Sequence, residues 1–298
     1  MGMETKSVTK SNALIEAGYR LSLTEMQIVL YGISLINPTR TNFPLCYRVD
    51  IARFAEMFNR EHGQIYQEVK EAIQKRFWER DFSYKDEDGK IVTNRWLTRI
   101  KHKDKTGFIE IKFNEEIQPY LHQLQNRFTT YYIEQIADMK SVYSVRFYEL
   151  GIMHLNKSKK NKVFFKLSID AIKKRLELTE KYSRFSNFKA FVLEPAKKEI
   201  NKHSDIRLHY EVIKQGRKPS EIKFTLTKKD NAVKSISYNS LSTLVFEKAK
   251  QIIKEAGTGW DLYAIEQQFH EYSAKKGRPE NIEGAFLGFV KKKVAKKP

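Results

Sequence analysis

The side chains whose chemistry stands out lie between residues 183 and 190. Arg184 can donate two hydrogen bonds to the edge of guanine, and Asn187 can pair with both edge groups of adenine. Ala190 is small enough to let a helix approach closely or to touch a thymine methyl group. This set predicts a helix whose N-terminal part contacts bases in the major groove of DNA. The base-reading candidates are Ser183, Arg184, Asn187 and Ala190.

Apolar side chains at helical spacing indicate the helix that carries these residues. Ser183 is a favourable N-cap, and the stripe that follows it faces the interior. The stripe consists of Phe185, Phe188, Val192, Ala196 and Ile200. Lys189 falls on the inward side of the helical wheel, so we expect its stem to follow the helix flank and its ammonium to reach a phosphate. Pro195 removes one backbone hydrogen bond, which predicts a bend.

Two alternating segments, residues 206–212 and 222–226, follow the helix around the basic loop 214–220 and predict a hairpin with a wide tip. A short helix capped by Ser168, a turn, a long helix and a hairpin wing are the elements of a winged helix-turn-helix. A small α+β core without a DNA role would give the same pattern. The phosphate-contact candidates are Lys181, Lys189, Lys197, Lys198, Arg217 and Lys218, with Arg99, Lys101, Lys103 and Lys105 in the first half.

The same order of elements occurs earlier in the chain. Ser22 and Glu25 form a capping-box pattern, a strand contains Cys46, which we interpret as a small core residue, and Asp50 caps a short helix. A longer helix follows, and residues 91–100 and 108–113 predict two strands of a hairpin. The cap and the apolar positions of the two short helices have the same spacing: residues 50, 51, 54 and 58 in the first and 168, 169, 172 and 176 in the second. This correspondence indicates a structural duplication.

These patterns predict an α+β protein with two tandem winged-helix domains and a helical C-terminal extension. The predicted boundaries are 1–126, 127–230 and 231–298. Carboxylates on the first long helix would be repelled by phosphates, so we assign base reading to the second domain. The first domain is expected to contact the DNA backbone or to dimerise through its hairpin or a sheet edge. In the extension we predict a helix ending at Gly257, two short helices within 260–273 and 281–294, and a basic tail.

The charge balance favours a polyanionic partner. The 298 residues carry a formal charge of +19, and neutralising phosphates releases condensed counterions. No apolar run approaches the roughly 20 residues that span a bilayer, and the N-terminus lacks the apolar core of a signal peptide. We therefore expect a cytoplasmic protein that binds nucleic acid rather than a membrane. The single cysteine excludes an internal disulfide.

The sequence lacks the patterns of a metal-dependent nicking site and of an ATP-hydrolysing site. The seven histidines include no His-x-His pair for a metal-dependent nicking site, and no GxxxxGK[ST] phosphate loop is present. Residues 86–89 contain carboxylates but resemble a hairpin turn. The sequence therefore predicts a protein that is not an enzyme and that needs no metal or cofactor.

Three segments resemble the iteron-binding replication initiator (Rep) proteins of theta-replicating bacterial plasmids. They are VTKSNALIEAGYRLSLTEMQIVLYGISLINP, FTTYYIEQIADMKSVYSVRFYEL and FSNFKAFVLEPAKKEINKHSDIRLHYEVIKQGRKPSEIKF. The resemblance implies a monomer that binds directly repeated origin sequences (iterons) and a homodimer that represses its own gene. It also implies two host partners, the initiator ATPase and the replicative helicase. The alternatives are a winged-helix transcriptional repressor without a replication role and an enzyme with an unrecognised site.

Overall fold

The computed structural model describes residues 6–36, 45–75, 77–85, 88–102, 106–121, 127–158, 160–229, 243–257 and 281–295, with separate positions between 262 and 279. The chain divides into two units, residues 1–232 and 233–298. Within the described ranges, no helix has both the length and the apolar character to cross a bilayer.

The first half of the larger unit contains five helices and eight strands among its described residues. The helices are α1 (Asn12–Glu16), α2 (Leu23–Ser34), α3 (Ile51–Met57), α4 (His62–Lys75) and α5 (Gln118–Leu121). The strands are β1 (Ser7–Ser11), β2 (Gly18–Tyr19), β3 (Cys46–Asp50), β4 (Asp81–Lys85), β5 (Ile91–Arg95), β6 (Leu97–His102), β7 (Phe108–Phe113) and β8 (Phe128–Tyr132). Short 3-10 turns cover Phe77–Glu79, Glu115–Ile117 and Ile133–Gln135.

The second half of this unit begins with the 17-residue helix α6 (Val142–Ser158). It continues with β9 (Lys162–Ser168), α7 (Ile169–Arg175), α8 (Phe185–Phe188), a π turn (Lys189–Leu193), α9 (Glu194–His203), β10 (Ile206–Gln215) and β11 (Lys218–Lys228). The strands predicted on either side of the wing are therefore confirmed.

The capping predictions for three helices are confirmed. The Ser22 hydroxyl accepts a hydrogen bond from the Glu25 amide at 3.2 Å, and the Glu25 carboxylate accepts one from the Ser22 amide at 2.6 Å. Asp50 caps α3 by accepting from the Ala52 and Arg53 amides. Ser168 caps α7 in the same way. Each cap satisfies backbone donors that would otherwise lack partners.

Sheet topology confirms the duplication. In each half, the last strand of the hairpin is the central strand of a three-stranded sheet. It pairs on one side with the strand before the short helix and on the other side with the first strand of the hairpin. The orders are β3–β7–β6 in the first half and β9–β11–β10 in the second. The turns after α3 and α7 also match. Asn59 and Glu177 both have positive φ (48° and 50°), and each turn closes with a 2.8 Å amide-to-carbonyl bond. This Schellman geometry ends both short helices at the turn of a helix-turn-helix.

Two predictions about the first half are wrong. Residues 91–100 form two strands in different sheets, because the chain crosses at Trp96, which is fully buried against Tyr19 and Phe82. Trp96 and Leu97 are both buried, so the alternation of inward and outward side chains is broken at this crossing. Cys46 lies on a strand as predicted, but its side chain is exposed because the inward positions of β3 belong to Tyr47 and Val49.

Strand β8 pairs with β1, which lies more than 100 residues earlier in the chain. This pairing brings residues 128–132, beyond the predicted boundary at 126, to the N-terminal strand. The boundaries between the three predicted domains stay predictions.

A buried polar cluster joins β1, β8 and α6. The Glu149 carboxylate is paired with Lys10 and accepts a 2.5 Å hydrogen bond from the Tyr131 hydroxyl. Arg146 lies 3.7 Å from Glu149 and donates to the carbonyl oxygen of Ala17 at 2.8 Å. Burial, the charge of Glu149 and its hydrogen bond all raise the pKa of Tyr131.

The smaller unit has its own apolar core. The helix α10 (Thr243–Ala256) precedes Gly257, which has a φ of 61°, so the predicted end of this helix is confirmed. The last helix, Ile282–Val294, is capped by Asn281. Between them, the described positions from 262 to 273 are helical. The core residues are Val245, Ala249, Ile253, Leu262, Ile265, Phe269, Phe286 and Val290. The segment predicted from the sequence as a linker, residues 231–240, and the end of the basic tail, Lys296 and Lys297, lie outside the described residues.

Candidate nucleic-acid interface

The helical segment 185–203, called the recognition helix below, begins one residue later than predicted. Its N-cap is Arg184, whose carbonyl oxygen accepts from the amides of Asn187 and Phe188. Ser183 is therefore outside the helix, and the prediction that it is the N-cap is wrong. The preceding Tyr182 has a φ of 54°, and the chain leaves this left-handed position in an extended conformation before helical geometry starts at Phe185.

The sequence predicts a bend at Pro195, and the structure has a π turn in the residues just before it. Residues 189–193 are wound as a π-helix, and Pro195 lies in the first turn of the α-helix that follows. A proline ring lacks an amide hydrogen and collides with the carbonyl oxygen of an ordinary preceding turn, whereas a wider π turn leaves room for it.

The inward face agrees with the predicted stripe. Phe188, Val192, Ala196 and Ile200 are fully buried, and Phe185 is half-buried against the same core. Burial of each large apolar side chain contributes about 1.5–3 kcal/mol, so this stripe fixes the rotation of the helix about its axis.

Polar contacts hold the C-terminal half of the recognition helix. The Glu199 carboxylate accepts from the backbone amides of Lys140 and Ser141, just before α6. Asn201 pairs with both backbone groups of Leu208, at 2.6 and 3.0 Å. The Lys229 ammonium donates to the carbonyl oxygens of Asn201 and Ser204. Burial, the largest cause, and the charge of Arg207 lower the pKa of Lys229.

The four base-reading candidates are all exposed: Ser183, Arg184, Asn187 and Ala190. Arg184 and Asn187 lie at the N-terminal end of the recognition helix, away from the contacts made by Glu199, Asn201 and Lys229. The Arg184 guanidinium and the Asn187 amide are therefore available to a ligand at the end of a helix that is fixed by the core and by the segment before α6. Their assignment to particular bases stays a prediction.

The placement of Lys189 differs from the prediction. Its side chain is half-exposed rather than inward, and its ammonium lies 3.8 Å from the carboxylate of Glu194. The helical wheel assumed 3.6 residues per turn throughout. The π turn that starts at Lys189 has more residues per turn, so it changes the direction of Lys189 relative to the buried residues that follow it. Glu194 also accepts a 2.6 Å hydrogen bond from the Tyr210 hydroxyl, so a carboxylate on the outer face has two polar partners.

The other lysines near the helix differ in exposure. Lys181 and Lys198 are exposed. Lys197 is half-buried, with its ammonium 5.8 Å from the centre of the Tyr210 ring. Contact with phosphate by these side chains stays a prediction.

The wing of the second domain is tighter than predicted. Gln215 pairs with Lys218, which leaves a two-residue turn of Gly216 and Arg217. Gly216 has a φ of 62°, and glycine at the first central position is typical of a type II′ hairpin turn. Arg217 and Lys218 are both exposed at the tip, where long cationic side chains can reach a phosphate.

Two of the phosphate candidates of the first domain, Arg99 and Lys101, lie on β6, at the edge of its sheet. Arg99 is exposed, with its guanidinium 3.4 Å from the Cys46 sulfur, and Lys101 is exposed, 3.6 Å from the carboxylate of Glu110. Lys103 and Lys105 lie outside the described residues.

Two residues on the recognition helix were not recognised from the sequence. Phe191 is 61% exposed, and Glu199 ties the helix to α6. A signal for Phe191 was available, because it is a large aromatic residue outside the apolar stripe. The role of Glu199 depends on a backbone segment almost 60 residues away and had no local signal.

Two family models match this chain in tandem. The model described as "Initiator Replication protein, WH1" matches residues 7–152, and the one described as "Initiator Rep protein, WH2" matches residues 168–226. Together they cover more than half of the chain. The chain belongs to this family of replication initiators.

This initiator is also similar to proteins from Escherichia coli. It is 30% identical over 217 residues to a replication initiation protein. The matched segment covers 70% of this chain and 66% of the relative, so the chain spans slightly less than two-thirds of the relative's length. It is 24% identical over 238 residues to an uncharacterised 27.6 kDa protein, of which it covers 96%.

Among solved structures, the initiator resembles the Pi initiator protein crystallised in complex with iteron DNA. The TM-score is 0.64 at 23% identity, and the match covers 76% of this chain and 98% of that one. This similarity supports the tandem winged-helix fold predicted from the sequence. Among the described residues, no group of three or more histidine, cysteine, aspartate or glutamate side chains could hold a metal ion.

Proposed function

We propose that this initiator starts plasmid replication by binding directly repeated origin DNA as a monomer, with the recognition helix in the major groove. The observation that carries the proposal is the exposed pair Arg184 and Asn187 on a rigidly held helix of a replication-initiator fold. The basic wing tip supports backbone contact beside that groove. No enzymatic step is part of this function, because binding and opening of the origin need only differential affinity for DNA.

A homodimer is the second part of the proposal. In the sheet β2–β4–β5, strand β5 is at the edge, and its Ile91 side chain is 65% exposed. Edge strands present backbone groups that can pair with another chain, and an exposed isoleucine adds apolar area to such a contact. The family resemblance implies that the dimer represses the initiator's own gene. It also implies that the initiator has two host partners, the initiator ATPase and the replicative helicase.

The decisive experiment combines selection with replication. Selection of duplexes from a random-sequence library with the full chain should enrich one short motif. A plasmid carrying this gene beside direct repeats of that motif should then replicate in a bacterial host. A transcriptional repressor would enrich a motif yet fail to maintain the plasmid, and failure to enrich any motif would refute sequence-specific binding.

The dimer is tested separately by sedimentation velocity over a range of concentrations. Ile91→Lys should shift the equilibrium to monomer, whereas the matched change Phe164→Lys, at an exposed position of the second domain, should not. A wild-type chain that stays monomeric at high concentration would contradict dimerisation.

A further inference from the structure

An exposed phenylalanine lies on the recognition helix among the base-reading candidates. Phe191 follows Asn187 by four residues and Ala190 by one, and 61% of it is accessible to solvent. Residues four apart lie on the same side of a helix, so the outward side that carries Asn187 also carries this aromatic ring. Single exposed apolar side chains are common on protein surfaces, so the position of this ring beside Asn187 and Arg184 is what makes it a candidate contact residue.

The Phe191 ring stacks on a second aromatic side chain. Its neighbour is Tyr182, whose ring lies nearly parallel to it, at 24°, with 6.1 Å between the centroids. Tyr182 is itself held in place, because its carbonyl oxygen accepts a 2.9 Å hydrogen bond from the Lys173 ammonium. A supported ring loses little conformational freedom on binding, which favours its use as a contact residue.

We propose that Phe191 is a specificity-determining residue that packs against the C5-methyl group of a thymine in the major groove. This inference rests on the proposed function. Among the groups at base edges in that groove, the thymine methyl is the apolar one, and phenylalanine is among the side chains that contact it. A protein partner for the ring is less favoured because exposed cationic and amide groups suited to DNA flank it, notably Arg184 and Asn187.

The position of the thymine follows from helix geometry. Four residues of helix advance about 6 Å along the axis. Because Phe191 and Asn187 are about one helical turn apart on the same side, we expect the thymine to lie near the base contacted by Asn187.

Replacement of thymine by deoxyuridine tests the contact, because it removes the methyl group and keeps every hydrogen-bonding group of the base. The probe is the duplex that the full chain selects from the random library, with each thymine replaced in turn. For the wild-type chain, one or two replacements should weaken binding about three- to fivefold each, the effect of one buried methylene-sized group. For Phe191→Ala, binding to the unmodified duplex should weaken and the same replacements should have no further effect.

The matched control is Phe164→Ala, which removes a ring that is 56% exposed on β9 and should leave the deoxyuridine profile unchanged. If every replacement is neutral for the wild-type chain, or if Phe191→Ala keeps the full methyl dependence, Phe191 does not contact a thymine. If Phe191→Ala changes the sedimentation of the free protein instead, the ring is a self-association contact. In each of these results a motif is still selected, so the proposed function survives while this inference fails.

Discussion

The ammonium of Lys10 and the carboxylate of Glu149 form an ion pair in which neither side chain has any solvent exposure. Lys10 comes from β1 and Glu149 from the middle of α6, so the pair joins segments almost 140 residues apart. Arg146, 2% exposed, lies 3.7 Å from the same carboxylate. Glu149 therefore compensates two buried cations.

Removal of this carboxylate should be strongly destabilising. We expect Glu149→Gln to lower the free energy of unfolding by about 3–5 kcal/mol, because it leaves buried charge without a partner. The double variant Lys10→Met with Glu149→Gln should recover part of the lost free energy of unfolding, because it also removes one of the two buried cations that Glu149 compensates. Urea unfolding followed by tryptophan fluorescence measures both variants. A loss below about 1 kcal/mol for Glu149→Gln would contradict the role of the cluster.

Base contacts and phosphate contacts should separate in binding assays. Arg184→Ala or Asn187→Ala should each weaken binding to the selected duplex by about 1–3 kcal/mol and leave random DNA unaffected. Arg217→Ala or Lys218→Ala should weaken binding to all sequences and reduce the salt slope by about 1. Fluorescence anisotropy at several salt concentrations provides both quantities. Equal losses on selected and random DNA for the first pair would remove those residues from the base-reading set.

Relief of backbone strain at the turn of the second winged helix should stabilise the protein. Glu177 has a φ of 50°, a conformation that costs an ordinary side chain about 1–2 kcal/mol. Glycine avoids that cost but loses more freedom on folding, so Glu177→Gly should stabilise by about 0.5–1 kcal/mol. The matched Glu177→Ala removes the carboxylate and keeps the strained Cβ. Calorimetry should show a higher Tm for glycine than for alanine, and equal Tm values would rule out strain as the cause.

His154 should make stability depend on pH. Its ring is stacked on Phe165 with 3.8 Å between the centroids, and burial, with smaller contributions from Lys157 and Arg175, lowers its pKa from 6.5 to about 4. Between these values the unfolded chain takes up a proton that the folded chain does not, so stability falls as the pH decreases from 6.5 to 4. The expected loss, after solvent screening, is about 1–2 kcal/mol.

The corresponding measurement compares urea unfolding of the wild type and His154→Gln across that pH window. The variant should lose less stability than the wild type, and subtraction removes the contributions of other groups such as Asp205, whose pKa burial raises. Parallel pH profiles would exclude His154 as the source.

Local features of the chain could be predicted because their causes are local. A cap such as Ser22, Asp50 or Ser168 acts on amides two or three residues away, and the alternation in 206–212 and 222–226 reflects one buried face of a sheet. The duplicated order of elements was visible for the same reason. The resemblance to replication initiators agreed with this order, and the family models match the same two segments.

The candidate site was predicted only in part. The inward stripe and the exposure of Arg184 and Asn187 follow from helical periodicity alone. The exposure of Phe191 also agrees with ordinary helical periodicity, whereas the exposure of Lys189 departs from it at the π turn.

The sequence alone determined the winged-helix pattern, the positive charge and the inward face of the helix that carries the base-reading candidates. Only the tertiary structure decided the crossing of the chain at Trp96, the pairing of β1 with β8, the burial of Lys10 beside Glu149 and the tie between Glu199 and Ser141. Each of these contacts joins residues that are distant in sequence or lie in different sheets. The free energy of each contact depends on which residue packs against it in the folded chain, and local periodicity carries no information about that residue.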